Sequence, residues 1–308
     1  MPRGLAKTGM LLAALVLAIG AGALFAPSRA EAAVNSCSVS SSGVAFSPYN
    51  SQTKSAVDGT GTFTVTCSGN GASNSLSLNI TGGNANSCTT RQMRTGGNNL
   101  NYQLYSDAGR ATLWCDGGDR LDFNIDLSGP TGSNSVTFTV YGRVAAGQNP
   151  VYTPATYSDT LSVAVKRNGN QIVSSTFSVT GSVAPICSVS AGTLGFGSYS
   201  GSIVNATATV TVNCTNTAPY QVSLSGGSSQ SGSARRMAGP LSSYLSYQLF
   251  RDSGRTLTWG DGSAQLGARQ GGTGNGSAQS LTVYGRIPAG QTVAAGSYSD
   301  SVVVTVEY

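Results

Sequence analysis

The sequence predicts an all-β protein made of two tandem antiparallel β-sandwiches, the second lacking its last strand. Three observations carry this. Apolar residues alternate with Thr, Ser and Asn: Phe63, Val65 and Cys67 in one run, Leu76, Leu78 and Ile80 in another, Val210, Val212 and Cys214 in a third. A period of two turns one face of a strand inward and the other outward. Gly- and Asn-rich turns separate the runs, as at Gly82-Gly83, Gly96-Gly97 and Gly226-Gly227, where the backbone needs conformational freedom. The chain also repeats itself. Residues 102–117 (YQLYSDAGRATLWCDG), 139–148 (TVYGRVAAGQ) and 157–165 (YSDTLSVAV) recur in order as 247–262, 282–291 and 298–306. No segment beyond the first 32 residues holds a helical period over three turns.

Taken in order, residues 1–32 read as a secretory signal. Arg3 and Lys7 form a basic start, residues 10–25 an apolar stretch, and Ala30-Glu31-Ala32 a small-x-small cleavage pattern. The apolar stretch is short for a membrane span, so no permanent membrane anchor is expected. About 276 residues remain after cleavage, enough for two β-domains of ordinary size. Domain one is expected over 33–180. A short linker begins at Gly181, and domain two is expected over 184–308, with Pro185 at its start.

Secretion places the six Cys in an oxidising compartment, where they pair. The repeat assigns one bridge to each copy, Cys37 with Cys67 and Cys187 with Cys214. Cys88 and Cys115 occur only in copy one and pair by elimination. Each bridge closes a loop of about 30 residues, worth roughly 3–4 kcal/mol in the chain-entropy picture. A structural metal site is the poorer reading, because the chain has neither a CxxC motif nor a His.

The ends of the two copies differ. Aligned on Ser-Asp, Lys166 matches Glu307 and Arg167 matches Tyr308. Copy one then turns through Asn168-Gly169-Asn170 and runs a further strand over 172–179, with Val173, Ser175, Phe177 and Val179 on one face. Copy two stops at Tyr308. A sandwich without its last strand has an open edge and a gap in its core, which a strand from another molecule can fill. Val302, Val304, Val306 and Tyr308 form that edge.

Composition excludes several functions. Only 9% of residues are charged, and the +5 of the whole chain falls to +3 once Arg3, Lys7, Arg29 and Glu31 leave with the leader. That is no nucleic-acid footprint. Without His or a free thiol there is no base for a nucleophile, so no enzyme is expected and no cofactor. Asp116, Asp119, Asp122 and Asp126 crowd one loop, but their spacing fits no calcium loop and reads as solvated turn acids. Asp107 and Asp252, Arg143 and Arg286, and Trp114 and Trp259 occur at matched positions in both copies and read as structural.

Several segments together resemble a known family. They are Cys187-Ser-Val189 with residues 194–199 (LGFGSY), the strand ending at Cys214, residues 247–262, residues 283–287 (VYGRI) and residues 298–308, each with a version in copy one. The set resembles the spore coat U family of domains, which includes subunits of archaic, Csu-type chaperone–usher pili. The resemblance implies two immunoglobulin-like sandwiches and assembly by strand exchange. A periplasmic chaperone lends a strand during export, an outer-membrane usher assembles the fibre, and an adjacent pilus subunit donates the replacement strand. The site is then the surface of a Gram-negative bacterium. A donor needs an extension before its first Cys. Cleavage after residue 32 leaves about four residues before Cys37, too few to cross a sheet at about 3.3 Å per residue. The chain is therefore expected to accept a strand, to donate none and to sit at the pilus tip as an adhesin for surface attachment and biofilm formation. The alternative is a secreted structural coat protein of a spore or cyst that uses the same open edge laterally.

In an immunoglobulin-like strand order, the hairpin 166–171 lies at the pole remote from domain two, beside loops 68–75 and 116–134. Candidate contacts to a biotic or abiotic surface receptor are Asn70, Leu121, Phe123, Lys166, Arg167 and Asn168. The resembling tip adhesins use apolar loop tips there, whereas residues 68–74 and 166–170 are polar here and suit a polar or glycan-like receptor. Leu121, Phe123, Ile125 and Leu127 alternate as a small hairpin does, and alternation also signals burial. Loop 149–154 counts to the near pole and is expected to pack on domain two.

Overall fold

A computed structural model describes residues 33–308; the predicted leader, 1–32, lies outside them. In the first half, β1 (Ala33–Ser41), β3 (Val57–Asn70), β8 (Ser133–Val144), β6 (Asn98–Tyr105), β5 (Arg91–Thr95), β9 (Tyr157–Arg167), β10 (Asn170–Gly181) and β2 (Val44–Ala45) follow one another along a single hydrogen-bonded path. A further strand, β4 (Asn74–Ile80), pairs with β9 and with β7 (Leu121–Ile125). β1 packs across onto β9 and β10, so the sheet folds over itself as a sandwich. Every pairing on this path is antiparallel except that of β10 with β2.

The inward residues are the ones the alternation picks out. Phe63, Val65, Leu78 and Val163 are fully buried beside Trp114, which donates its indole N–H to the Leu78 carbonyl at 3.0 Å. Phe63 meets Trp114 and Phe177 edge-on, with ring centroids 5.6 and 4.7 Å apart, the geometry that aromatic quadrupoles favour.

The second half repeats the plan in two sheets. One runs β11 (Cys187–Ala191), β12 (Val204–Cys214), β17 (Ala278–Ile287), β15 (Tyr244–Phe250) and β14 (Arg235–Ala238). The other runs β16 (Gln270–Thr273), β13 (Pro219–Leu224) and β18 (Val304–Glu307). Trp259 takes the place of Trp114 and donates to the Val222 carbonyl. The bridges are Cys37–Cys67, Cys88–Cys115 and Cys187–Cys214, the first and third as the repeat assigns and the second as elimination leaves it.

Each half also buries one arginine. Arg91 is fully buried and donates to the carbonyls of Thr81 and Trp114; Arg235 donates to those of Leu224 and Ser225. Beside each, a tyrosine donates to the aspartate of the Tyr-Ser-Asp motif. The pairs are Tyr102 to Asp159 and Tyr247 to Asp300, both at 2.7 Å. The duplicated motif is thus a buried polar brace that fixes β9 and the segment before β18.

One expectation is corrected. Residues 121–127 do not form a hairpin of their own; β7 pairs with β4, Phe123 opposite Leu76. Leu121 and Phe123 are half-buried against the core, and Phe123 packs on Phe138 at 4.9 Å. They sit on a strand and pack against the core, the burial that their alternation signals, and form no loop tip.

The halves touch directly. The Gln52 amide donates to the carbonyls of Ile186 and Asn213 at 2.9 and 2.6 Å. Ser51 donates to Thr215 in a buried bond. In loop 149–154, the Tyr152 N–H donates to the Asn216 carbonyl and the Tyr152 carbonyl accepts from Thr217. Asn149 lies over Gly276, where a Cβ has no room. The longer loop of the first copy therefore packs on the second half, as its count to the near pole implies.

Candidate functional site

The principal site is an open apolar groove in the second half. Its cavity measures about 390 Å³, and its lining includes Leu194, Phe196, Val210, Met237, Val302 and Val304. The first half shows what belongs in it. There β10 runs antiparallel to β9, with Val173 opposite Val165, Ser175 opposite Val163, Phe177 opposite Leu161 and Val179 opposite Asp159. On its other side β10 pairs in parallel with β2 through Val44 and Ala45. Phe177 and Val179 are buried, and Val173 is half-buried.

Matched apolar positions in the two halves differ in how far they are covered. Leu161, Val163 and Val165 are each 0% exposed; their counterparts Val302, Val304 and Val306 are half-exposed. Val44 and Phe46 are buried, and their counterparts Leu194 and Phe196 are half-exposed. Residues 192–200 form no strand, because the partner that β2 finds in β10 has no equivalent among the described residues. β18 pairs with β13 on one side, Val306 opposite Val222 and Val304 opposite Leu224. No described strand pairs its other side. Val303 points away from the groove at 64% exposure, and Tyr308 is exposed just past β18. Among the expected edge residues, Val302 and Val304 line the groove, Val306 packs on the same core, and Tyr308 lies outside.

Asp300 closes one end of the groove. It accepts from the Tyr247 hydroxyl and from the Ser228 N–H at 2.8 Å. Burial, then the hydrogen bond to Asp300, push the Tyr247 hydroxyl above its usual range, so it remains a donor at any physiological pH.

A second recess lies at the remote pole of the first half, between β4, the turn 116–120 and the β9–β10 hairpin. It holds about 440 Å³ and is lined by polar groups that include Ser77, Asn79, Asp116, Arg120, Lys166 and Asn168. Lys166 donates to both Asp116 oxygens at 2.9 and 3.1 Å, and Arg120 pairs with Asp122 at 2.8 Å. The hydrogen bond from Lys166 is the main reason the Asp116 carboxyl lies below the usual carboxylate range. The Cys88–Cys115 bridge, absent from the second copy, anchors the residue just before Asp116. Asn168 takes the left-handed turn position at φ 50°. Of the six candidate contacts, Lys166 and Asn168 enter this recess. Arg167 and Asn70 do not line it; Asn70 ends β3 opposite Ala33 of β1, and its side chain accepts from the Ala33 N–H.

Three contributors escaped the sequence reading. The buried Arg91 and Arg235 look like surface charges in the sequence, although both stand in an Arg-x-Met pattern upstream of the matched Tyr-Gln-Leu strand, which was available as a signal. Gln52 gives no local signal, because its partners lie in the other copy.

Comparison with known proteins follows the same division into two copies. A model of the Spore Coat Protein U domain family matches residues 23–164 and again residues 173–305. Protein U of Myxococcus xanthus is 33% identical over an alignment that covers 41% of this chain and 79% of Protein U. Among solved structures, the fold is similar to the chaperone–tip adhesion subunit pre-assembly complex CsuC–CsuE, from archaic chaperone-usher Csu pili of Acinetobacter baumannii. The TM-score is 0.51 at 22% identity, covering 89% of this chain and all of that one. The CupB6 tip adhesin of Pseudomonas aeruginosa aligns over 89% of this chain and 94% of its own, at 10% identity and a TM-score of 0.38.

Proposed function

The chain belongs to the Spore Coat Protein U domain family, and we propose that it is the tip adhesin of an archaic chaperone–usher pilus. In this reading residues 33–180 form a receptor-binding domain completed in cis, and residues 184–308 form the domain that joins the shaft. The observation that carries it is the pair of matched positions. One chain presents the same core twice, once covered by β10 and once open. Extended strands add to such an edge through main-chain hydrogen bonds, with alternate side chains filling the gap. The occupant is first a periplasmic chaperone strand and then the strand of the adjacent subunit. Delivery through an outer-membrane usher, display at the cell surface, and surface attachment with biofilm formation belong to the same reading. Likeness to the CsuC–CsuE complex supports the fold on which this rests. Residues from Ala33 onward are committed to β1, paired with β3, so they are not free to serve as a donor strand. Receptor contact falls to the polar recess with Lys166 and Asn168, which suits a hydroxyl-rich receptor better than an apolar surface.

Hydrogen exchange on the full chain tests the open edge. Amides of β18 and of residues 192–200 exchange rapidly in the free chain and become protected when a strand-donating partner is bound. Strong protection of both segments in the free chain refutes the proposal.

A second reading is a spore or cyst coat protein, favoured by the 33% identity to Protein U. It uses the same groove between coat subunits. Immunogold labelling separates the two: label confined to fibre ends supports the tip adhesin, and label spread over a coat supports the alternative.

A further inference from the structure

The second half has one pole facing the first half and one facing away. Gln52 reaches the Asn213 carbonyl next to Cys214, so the Cys214 end of β12 is the near pole. The other end of β12 begins at Val204, opposite Ile287 of β17. The β14–β15 hairpin tip lies at that same far end, since Ala238 pairs with Tyr244 and Gln248 with Arg286.

Large apolar side chains stand exposed at this far pole, Ile203 and Leu241 most of all. Ile203, just before β12, is 56% exposed, and Leu241, at the hairpin tip, is 93% exposed. Leu241 has φ 53° and Ser242 φ 56°, with the Ser243 N–H donating to the Pro240 carbonyl. The matching turn of the first half is shorter and uses Gly96-Gly97, with Gly96 at φ 56°. Left-handed positions suit Gly or Asn, and a leucine there carries a steric cost. Here it has no burial to offset that cost. Local structure alone gives no reason for a leucine at this tip.

The junction between the halves shows what this pole does. The corresponding pole of the first half bears the loops with Gln52 and Tyr152, which grip the second half where β10 leaves the first sandwich and passes through Val183. A strand in the open groove, running antiparallel to β18 as β10 runs to β9, leaves the second half at the Asp300 end. Ala238 is bridged to Ser299 there, so this is the pole of Leu241.

We propose that the far pole, through Leu241 and Ile203, is a docking surface for the folded body of the subunit whose strand fills the groove. This inference rests on the strand-acceptor reading above. The partner is a second sandwich that presents the end next to its first strand, as the second half does here with Ile186, Asn213 and Thr215.

The test places a photo-cross-linking amino acid at Val304 or at Leu241 in the full chain, within assembled fibres from the producing cells. Val304 identifies the strand donor. The proposal expects Leu241 to capture the same subunit through peptides of its sandwich and not of its donated strand. Capture of a different protein at Leu241, or of none, overturns it. Failure of Val304 to capture any strand overturns the acceptor reading as well. Leu241→Asn, which suits the left-handed turn, is expected to keep the chain folded and the Val304 capture intact. It should speed dissociation of the cross-linker-free complex about tenfold, the equivalent of burying part of one leucine. An unchanged dissociation rate also overturns the proposal.

Discussion

Leu161→Ala and Val302→Ala remove matched side chains from the two copies and should differ sharply in cost. Leu161 is 0% exposed beneath β10, opposite Phe177. Truncating a buried leucine costs about 2–5 kcal/mol, the lost transfer energy plus the cavity. At about 3–4 °C per kcal/mol for a unit of this size, the first-half transition should fall by roughly 6–20 °C. Val302 lines a groove open to water and is only half-covered. Its truncation forfeits a fraction of the roughly 1.5–3 kcal/mol that full burial of such a side chain is worth, so about 1 kcal/mol or less. With a donor strand bound, Val302 becomes the counterpart of Leu161, and the cost should rise to about 2 kcal/mol. Calorimetry on the full chain, free and in complex with its strand donor, reads both numbers. If Val302→Ala in the free chain costs as much as Leu161→Ala, the groove is already filled and the acceptor argument is wrong. A cost that stays the same when the donor binds refutes the argument equally.

Four further outcomes are expected. Replacing Cys88 and Cys115 by Ser opens a 27-residue loop and should destabilise the first half by about 3 kcal/mol, with the second-half transition unmoved in the same scan. Tyr102→Phe removes a donor from Asp159, which is 1% exposed, and should cost about 1–3 kcal/mol in urea denaturation. Gln52→Ala removes two bonds across the junction; small-angle scattering should show a wider spread of angles between the halves, with each half's melting unchanged. Asp116 titrates below the ordinary carboxylate range, chiefly because Lys166 donates to it. A depressed folded value means that its stabilising contribution is present above the unfolded value of about 3.9 and is lost as pH falls through the folded one. Carboxyl NMR should show that low midpoint, and Lys166→Met should raise it.

The parts of the fold readable in the sequence are those fixed by backbone period and by the repeat. Val210, Val212 and Cys214 had to face one way on a pleated strand, and Trp114 and Trp259 had to share a role because their neighbourhoods are duplicated. The same logic found β10, since Phe177 and Val179 continue a hairpin that the second copy does not repeat. What stayed hidden depends on which element covers a given face. Arg91 reads as a surface cation until the carbonyls of Thr81 and Trp114 close around it. Leu121 and Phe123 alternate equally well as a free hairpin or as a strand on β4, and only the tertiary pairing decides.

Leu241 is the instructive case. Sequence patterning treats an apolar residue in a turn as noise, because a turn has no period to violate. The structure turns it into a contradiction that can be weighed: a left-handed leucine, 93% exposed, where the sister turn has glycine. The groove poses the same contradiction on a larger scale, with apolar positions patterned for burial but left half-open. Both lie toward the end of the second half that faces away from the first, where β10 has no counterpart among the described residues. On the proposed reading, one neighbouring subunit that supplies a strand and a docking face accounts for both.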